Sequence, residues 1–282
     1  MRLSPLPPFI IDEAVRAALQ EDLGLAGDIT TNACIPADAT SRAVIATRKP
    51  GVIAGLDLAA AAFRLIDPSI KVDIISHDGA HVEEGYVVLA MNGPSRGILS
   101  AERVALNFLG RLSGIATATA ALVEAAKGTK AHIVCTRKTT PTLRVFEKYA
   151  VRCGGGHNHR FGLYDAVMIK DNHIAAAGGV AKALRVAKAA VGHMVKIEIE
   201  VDTAEALEEA IAEGADIILL DNMSIEELKR AVAFVAGRAV LEASGNVTLQ
   251  TVRAIAETGV DIISSGWITH SAPTLDLGLD FE

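Results

Sequence analysis

Residues 195–220 read VKIEIEVDTAEALEEAIAEGADIILL, two strand-like runs separated by a segment of helical character. Each run has the length of a β-strand, and the segment between them repeats its apolar residues at helical spacing before it ends in glycine. The same rhythm continues on both sides of this stretch, from about residue 130 to residue 264. It predicts consecutive βα units with parallel strands.

Six strands are predicted from residue 130 onward, two fewer than a full TIM barrel contains. Two arrangements fit this count, an incomplete TIM-like barrel and a doubly wound sheet. The first half reads as an α+β layer, with helices over 11–24 and 56–66 and strands within 42–55, 71–76 and 86–93. A long helix is expected to begin near Ser100 and to break near Gly110–Gly114.

Composition and charge narrow the class of protein. The chain has 282 residues, a formal net charge of −7 and three cysteines without regular spacing. The negative net charge argues against general nucleic-acid binding, and the sparse, irregularly spaced cysteines fit a reducing cytosol. No apolar run of about 18 residues is present, which predicts no membrane span. The segment 136–160 nevertheless holds six Lys or Arg residues and a single acid, so we expect it to meet a small anion.

Polar residues and glycines follow the predicted strands, at the end of the sheet where βα proteins bind ligands. They are Thr136, Arg137, Lys138, Lys170, Asp171, Asp221, Asn222, Ser244, Gly245, Asn246, Ser264, Ser265 and Gly266. Within 195–202, the charged residues Lys196, Glu198, Glu200 and Asp202 alternate with apolar ones and share one face. Such a face indicates either a barrel interior that holds an ion or an edge strand.

These residues suggest a chemistry. Glu200 and Asp221 could hold Mg²⁺, directly or through water, beside substrate phosphates. The Ser-Gly-Asn and Ser-Gly loops after the last two strands suit a phosphate group, and the arginines suit carboxylates. Lys138 or Lys170 could be a Schiff-base nucleophile or only a phosphate partner. Glycines 154–156 could be a flexible loop or a backbone that approaches an anion. A zinc site at His157 and His159 is weakly supported, since no Cys or acid is near them in sequence.

Several long motifs closely resemble quinolinate phosphoribosyltransferases, the decarboxylating nicotinate-nucleotide pyrophosphorylases. They are EDLGLAGDITT (21–31), SAERVALNFLGRLSGIAT (100–117), TRKTTPTLR (136–144), KYAVRCGGGHNHRFGLYDAVMIKDNH (148–173), EIEVD (198–202), LLDNM (219–223), EASGNV (242–247) and GWITHS (266–271). The resemblance implies an N-terminal α/β sandwich, residues 1–111 joined by the tail 271–282, and an open, incomplete TIM-like α/β barrel over 112–270. It also implies a cytoplasmic homodimer with shared active sites, or a higher oligomer built from it.

The implied reaction converts quinolinate and phosphoribosyl pyrophosphate to nicotinate mononucleotide, CO₂ and pyrophosphate in de novo NAD biosynthesis. It implies Mg²⁺ and no organic cofactor, no nucleic-acid partner and no membrane.

The resemblance also implies roles for individual residues. Arg137, His159, Arg160 and Lys170 would face quinolinate, with Arg103 reaching in from the partner subunit and glycines 154–156 forming the floor. Lys138 would touch the sugar or pyrophosphate, and Glu200 and Asp221 would organise Mg²⁺ and the ribose; these three are the expected catalytic residues. The remaining expected substrate-binding residues are Thr136 and the 5-phosphate loops Ser244, Gly245, Asn246, Ser265, Gly266 and Trp267. Trp267 departs from the small residue that similar proteins often have there.

Three alternatives remain at this point. The first is a paralogue of the same fold that serves molybdate transport, and the second is a Schiff-base phosphosugar aldolase. The third is an anion-binding module without catalysis. The extended match RCGGGHNHR at residues 152–160 favours the transferase.

Overall fold

A computed structural model describes residues 3–282. The chain forms two compact units. The first contains the residues up to 120 together with 146–155 and 272–282, and the second contains 121–145 and 156–271. Residues 146–155 therefore group with the first unit, although they lie inside the second predicted domain.

The strands of the first unit, numbered along the chain, are β1 (Thr40–Thr47), β2 (Gly51–Val52), β3 (Lys71–Ile74), β4 (His81–Val82), β5 (Val87–Pro94) and β12 (Leu277–Phe281). Four of them form an antiparallel sheet with the strand order β12-β1-β5-β3. The first helices of this unit are α1 (Pro8–Leu23), α2 (Ile29–Cys34) and α3 (Leu56–Ile66). The predicted helices and strands of this half are confirmed, but β2 pairs with β4 in a separate two-stranded sheet.

The next helix, α4, runs without interruption from Ser95 to Ala125. The predicted break near Gly110–Gly114 is therefore wrong. A β-carbon at Gly114 would collide with the carbonyl oxygen of Pro273, and one at Gly110 would lie 3.0 Å from that of Leu275. The two glycines let the C-terminal segment lie directly on a continuous helix, so they serve packing.

Helix α4 is long and apolar enough to span a membrane by length and composition alone, although polar residues interrupt its apolar runs. In the structure, 67% of the most apolar 18-residue stretch of this helix is buried. Burial of this extent is typical of a core helix.

The second unit is built on six parallel strands, as predicted. They are β6 (His132–Val134), β7 (Val167–Ile169), β8 (Ile197–Val201), β9 (Ile217–Asp221), β10 (Val240–Ser244) and β11 (Ile262–Ser264). The helices that follow are α5 (Arg144–Cys153), α6 (Asp171–Ala177), α7 (Val180–Ala190), α8 (Ala204–Ala212), α9 (Ile225–Val235), α10 (Val252–Ala256) and α11 (Trp267–His270). Helix α5 crosses the division between the two units.

The strand order β6-β11-β10-β9-β8-β7 distinguishes the two arrangements left open by the sequence. Strands β7 to β11 are neighbours in chain order, and the first strand, β6, pairs with the last, β11. In a doubly wound sheet the order of the strands reverses at a switch point, and the order observed here contains no such reversal. Within residues 3–282, β6 and β7 form no ladder with each other, so the barrel is open between them.

Asp78 fastens three segments of the first unit. Its Oδ1 accepts the backbone N–H groups of Gly55 and Leu56 at the start of α3, at 3.0 and 3.2 Å. Its Oδ2 accepts the hydroxyl of Tyr149 at 2.8 Å. Burial raises the pKa of Tyr149, which keeps the phenol protonated as a donor. One carboxylate thus satisfies two helix-end amides and a phenol.

Asp78→Ala is expected to lower the free energy of unfolding by about 2–4 kcal/mol, because it removes a helix cap and leaves a half-buried phenol without its acceptor. Urea denaturation followed by circular dichroism measures this. Asp78→Asn keeps one carbonyl acceptor and should lose clearly less. Equal losses in the two variants would contradict the capping role.

Candidate active site

A cavity of about 780 Å³ lies within the second unit, at the carboxyl ends of the parallel strands. Parallel strands end at the same edge of a barrel, so the residues that follow them meet there. Of the expected substrate-binding residues, the structure brings together Thr136, Arg137, Lys138, His159, Arg160, Lys170, Glu200, Asp221, Ser244, Gly245, Asn246, Ser265, Gly266 and Trp267. Arg103 is exposed on α4 in the first unit and is not among the lining residues.

Arg137 and Arg160 form the cationic part of the cavity. The Nε atoms of both guanidinium groups are buried without a hydrogen-bond partner, and Nη1 of Arg160 donates to the carbonyl of Ala166 at 3.0 Å. Burial, followed by the charge of Arg137, lowers the pKa of Arg160. Two like charges with unused donors disfavour each other. An anion that accepts from both would relieve this cost.

The carboxylates Glu200 and Asp221 line the cavity from neighbouring strands. Oε2 of Glu200 lies 2.6 Å from Nζ of Lys170, and Oδ2 of Asp221 accepts from Nδ2 of Asn222 at 2.9 Å. Two carboxylates from adjacent strands, open to a polar cavity, match the sparse protein ligation that Mg²⁺ accepts when phosphates complete its shell. The donor set therefore fits the expected ion.

The barrel interior holds a second acidic cluster below this edge. Glu198 on β8 and Glu242 on β10 are only 4% and 2% exposed, and both approach His159. Nε2 of His159 lies 2.8 Å from Oε2 of Glu198 and 3.9 Å from Oε2 of Glu242. Of the two explanations for the charged face of 195–202, the barrel interior is the one observed at Glu198.

The ring of His159 is fully engaged within the protein. Its Nδ1 accepts the backbone N–H of Arg160 at 2.9 Å, so the ring proton lies on Nε2 and is donated to Glu198. His159 lines the cavity without presenting a free ring nitrogen to it, which differs from the expected direct contact with quinolinate. A metal on Nε2 would require a proton on Nδ1, where the Arg160 amide already donates.

A proton suits this cluster better than a metal ion. Burial, and next the charge of Glu198, raise the pKa of Glu242 to about 7. A buried carboxyl close to another negative charge favours its protonated form, and this applies to Glu242. The weakly supported zinc site involving His157 is not what the structure shows, since the ligand-like atoms belong to His159 and the two glutamates.

The predicted basic segment divides into two parts. Arg137, Lys138 and Arg160 line the cavity, whereas Arg144 donates to Thr139 and to the carbonyl of Phe161. Lys148 is fully buried in the first unit. The excess of cations at 136–160 therefore serves both the cavity and the packing of helix α5.

The expected floor of glycines is wrong. None of residues 154–156 is among the lining residues of the cavity. A β-carbon at Gly154 would collide with the carbonyl oxygen of Ala116 and lie 2.7 Å from Cβ of Thr119. This glycine therefore allows the end of α5 to pack closely on α4.

The loop after β10 depends on glycine for a different reason. Gly245 has φ +99°, and a β-carbon there would collide with Oδ1 of Asn222. The following residue, Asn246, has φ +51°. These left-handed residues turn the chain sharply at the end of β10, where both residues line the cavity. Trp267 lies in the next loop, 40% exposed, at the start of α11.

Two matches to family models decide the family. The C-terminal domain of quinolinate phosphoribosyl transferase matches residues 115–280, and its N-terminal domain matches residues 28–113. The chain belongs to the quinolinate phosphoribosyltransferase family. As a member of this family it is a pentosyltransferase with an α/β fold, which confirms the resemblance and the fold class. The family match favours the transferase over the aldolase and the binding module.

Curated relatives of the quinolinate phosphoribosyltransferase family match over almost the whole chain. A nicotinate-nucleotide pyrophosphorylase [carboxylating] from Mycobacterium leprae is 44% identical, covering 95% of this chain and 96% of the relative. A mitochondrial quinolinate phosphoribosyltransferase [decarboxylating] from Nicotiana tabacum is 43% identical, covering 98% and 83%. The solved nicotinate-nucleotide pyrophosphorylase from Francisella tularensis is 40% identical and superposes with a TM-score of 0.95, covering 100% and 99%.

Sequence reasoning missed Glu242 and His270, which also line the cavity. Glu242 had a detectable signal, because it is a lone acid inside the apolar run AVLEA of a parallel strand. His270 had none, since it is the last residue of a short helix whose direction the sequence does not show.

Proposed function

We propose that the cavity of the second unit is the active site for the family reaction. The chain transfers a phosphoribosyl group from phosphoribosyl pyrophosphate to quinolinate with loss of CO₂, in NAD biosynthesis. The observation that supports this site is the half-buried pair Arg137 and Arg160, whose buried Nε atoms have no hydrogen-bond partner. Incubation with both substrates and Mg²⁺, followed by mass detection of nicotinate mononucleotide, tests it; no product would refute it.

The residues divide by chemistry into two substrate subsites. Arg137, Arg160 and Lys170 neutralise the two carboxylates of quinolinate, since guanidinium groups match carboxylates in a dry pocket. The loops Ser244–Asn246 and Ser265–Trp267, with Thr136, receive the 5-phosphate. Lys138 reaches the pyrophosphate, and its aliphatic stem would lie 2.8 Å from a β-carbon placed at Gly266.

The bond changes follow from the charges. The ring nitrogen of quinolinate bonds to ribose C1 as the bond from C1 to pyrophosphate breaks, through a state in which C1 is cationic. The protein acts mainly by positioning and by electrostatics. The nitrogen is then positively charged, so it stabilises the electron pair left on C2 when the adjacent carboxylate leaves as CO₂. A proton then adds at C2.

The expected metal is Mg²⁺, held by Glu200 and Asp221. When bound, it neutralises charge on the leaving pyrophosphate. To bind the ion, Glu200 would have to give up its ion pair with Lys170. Lys170 would then be available to the carboxylates of quinolinate. These bond changes require no organic cofactor.

We also propose a cytoplasmic enzyme. Cys34, Cys135 and Cys153 are all free cysteines, and two of them are buried. This usage fits a reducing compartment.

We further propose a homodimer, or a higher oligomer built from it, in which Arg103 serves the cavity of the partner subunit. This exposed arginine lies outside the unit that contains the cavity. The two-fold symmetry of a dimer would give each site one such residue from the other chain.

Mixing two inactive variants, Arg103→Ala and Lys138→Ala, is expected to restore activity. After joint unfolding and reassembly, about half of the dimers are mixed and roughly a quarter of all sites are intact. Each variant reassembled alone is the control. If confirmed mixed dimers show no recovery, Arg103 does not act across the interface.

A further inference from the structure

The imidazole ring of His159 holds the backbone amide of Arg160, and Glu198 in turn holds that ring. The Nδ1 atom of His159 accepts the amide N–H of Arg160, and Nε2–H donates to Glu198. The three residues thus form a chain of hydrogen bonds from the barrel interior to the cavity. Glu198 is at its inner end and is not itself among the lining residues.

In this series of hydrogen bonds, each ring nitrogen of His159 can act only as a donor or only as an acceptor. An imidazole whose Nδ1 accepts must carry its proton on Nε2, and that proton needs an acceptor in the dry interior. Glu198, 4% exposed, is the acceptor at hydrogen-bond distance; Oε2 of Glu242, at 3.9 Å from Nε2, is too far. Without Glu198, the tautomer that holds Arg160 loses its support.

We propose that Glu198 is a positioning residue for the substrate acid, acting through His159 on the backbone of Arg160. The negative charge of Glu198 also attracts the Arg160 guanidinium and offsets its repulsion from Arg137. Its second oxygen, Oε1, is buried without a hydrogen-bond partner in the described chain, so this carboxylate is not held by a wider network there. The inference rests on the proposed assignment of Arg160 to quinolinate.

Kinetics of three variants test this role. Glu198→Ala should raise the KM for quinolinate about tenfold or more, since a hydrogen bond to a charged group is lost, and leave the KM for phosphoribosyl pyrophosphate within about threefold. Glu198→Gln retains an amide carbonyl that accepts Nε2–H and should recover most of the loss. In a His159→Ala background, Glu198→Ala should add little, because its target is absent.

The tautomer of His159 provides a readout independent of activity. Nitrogen-15 NMR of histidine-labelled enzyme should show an unprotonated Nδ1 and a protonated Nε2 in the wild type. Glu198→Ala should lose this single state. Glu242→Gln is the matched control, because it removes an equally buried glutamate of the same interior without touching the hydrogen bond, and it should keep the tautomer.

The outcomes separate two failures. A wild-type His159 with a protonated Nδ1, equal effects of Ala and Gln at position 198, or equal weakening of both substrates would each overturn the positioning role. If Arg160→Ala leaves quinolinate binding unchanged while the wild type turns quinolinate over, the assignment of Arg160 is at fault instead.

Discussion

Arg160→Ala is expected to raise the dissociation constant of quinolinate by about 10- to 150-fold, the range for loss of a charge-assisted hydrogen bond. The dissociation constant of phosphoribosyl pyrophosphate should change by less than about threefold. The reason is that the two substrates are assigned to different parts of the cavity. Arg160 lies beside Arg137, whereas the phosphate loops lie at the ends of β10 and β11. Calorimetric titration with each substrate separately measures both constants.

A control variant for this prediction is Arg185→Ala. Arg185 is an exposed arginine of the same unit, paired with Glu213 at 2.6 Å, and it is not among the cavity residues. It should leave both constants within about twofold, since exposed ion pairs contribute little. If Arg160→Ala weakens both substrates equally, Arg160 has been given the wrong partner.

Removal of divalent cations is expected to abolish turnover. With excess EDTA and metal content checked by atomic spectroscopy, product formation should fall below detection, and added Mg²⁺ or Mn²⁺ should restore it. The physical reason is that Glu200 and Asp221 face a cavity that must also hold a pyrophosphate, and like charges there need a cation between them.

The same prediction has a binding readout. Mg²⁺-dependent binding of pyrophosphate should weaken about tenfold or more in Glu200→Gln and in Asp221→Asn. Glu257→Gln, which removes an exposed acid paired with Arg253 outside the cavity, is the control and should bind normally. Full turnover in metal-free buffer, or unchanged pyrophosphate binding in both carboxylate variants, would contradict the metal assignment.

Much of the site could be predicted from the chain alone, because it depends on local regularities. Short strand-length runs alternating with segments of helical spacing located all six strands, and residues after parallel strands must meet at one edge. That rule brought Lys170, Asp221 and Ser244 together although they are far apart in sequence. The roles of these residues still came from resemblance to a family, since spacing cannot distinguish a phosphate partner from a Schiff-base lysine.

Glycine and histidine show where such reasoning stops. A glycine in the sequence records only the lack of a side chain, so Gly110, Gly114 and Gly154 could be helix breaks or a ligand-binding loop. In the structure all three lie where another segment's backbone approaches. His159 likewise could face substrate or metal until the positions of its two ring nitrogens were known.

The amino-acid sequence was sufficient to specify the six strands, their parallel orientation and the polar residues at their ends, because these depend on neighbours a few residues away. Tertiary structure alone decided that α4 is continuous, that glycines 154–156 lie outside the cavity and that Glu198, Glu242 and His159 meet inside the barrel. Each of these depends on atoms from segments distant in the chain. Whether a buried charge has a partner is set by where those segments pack.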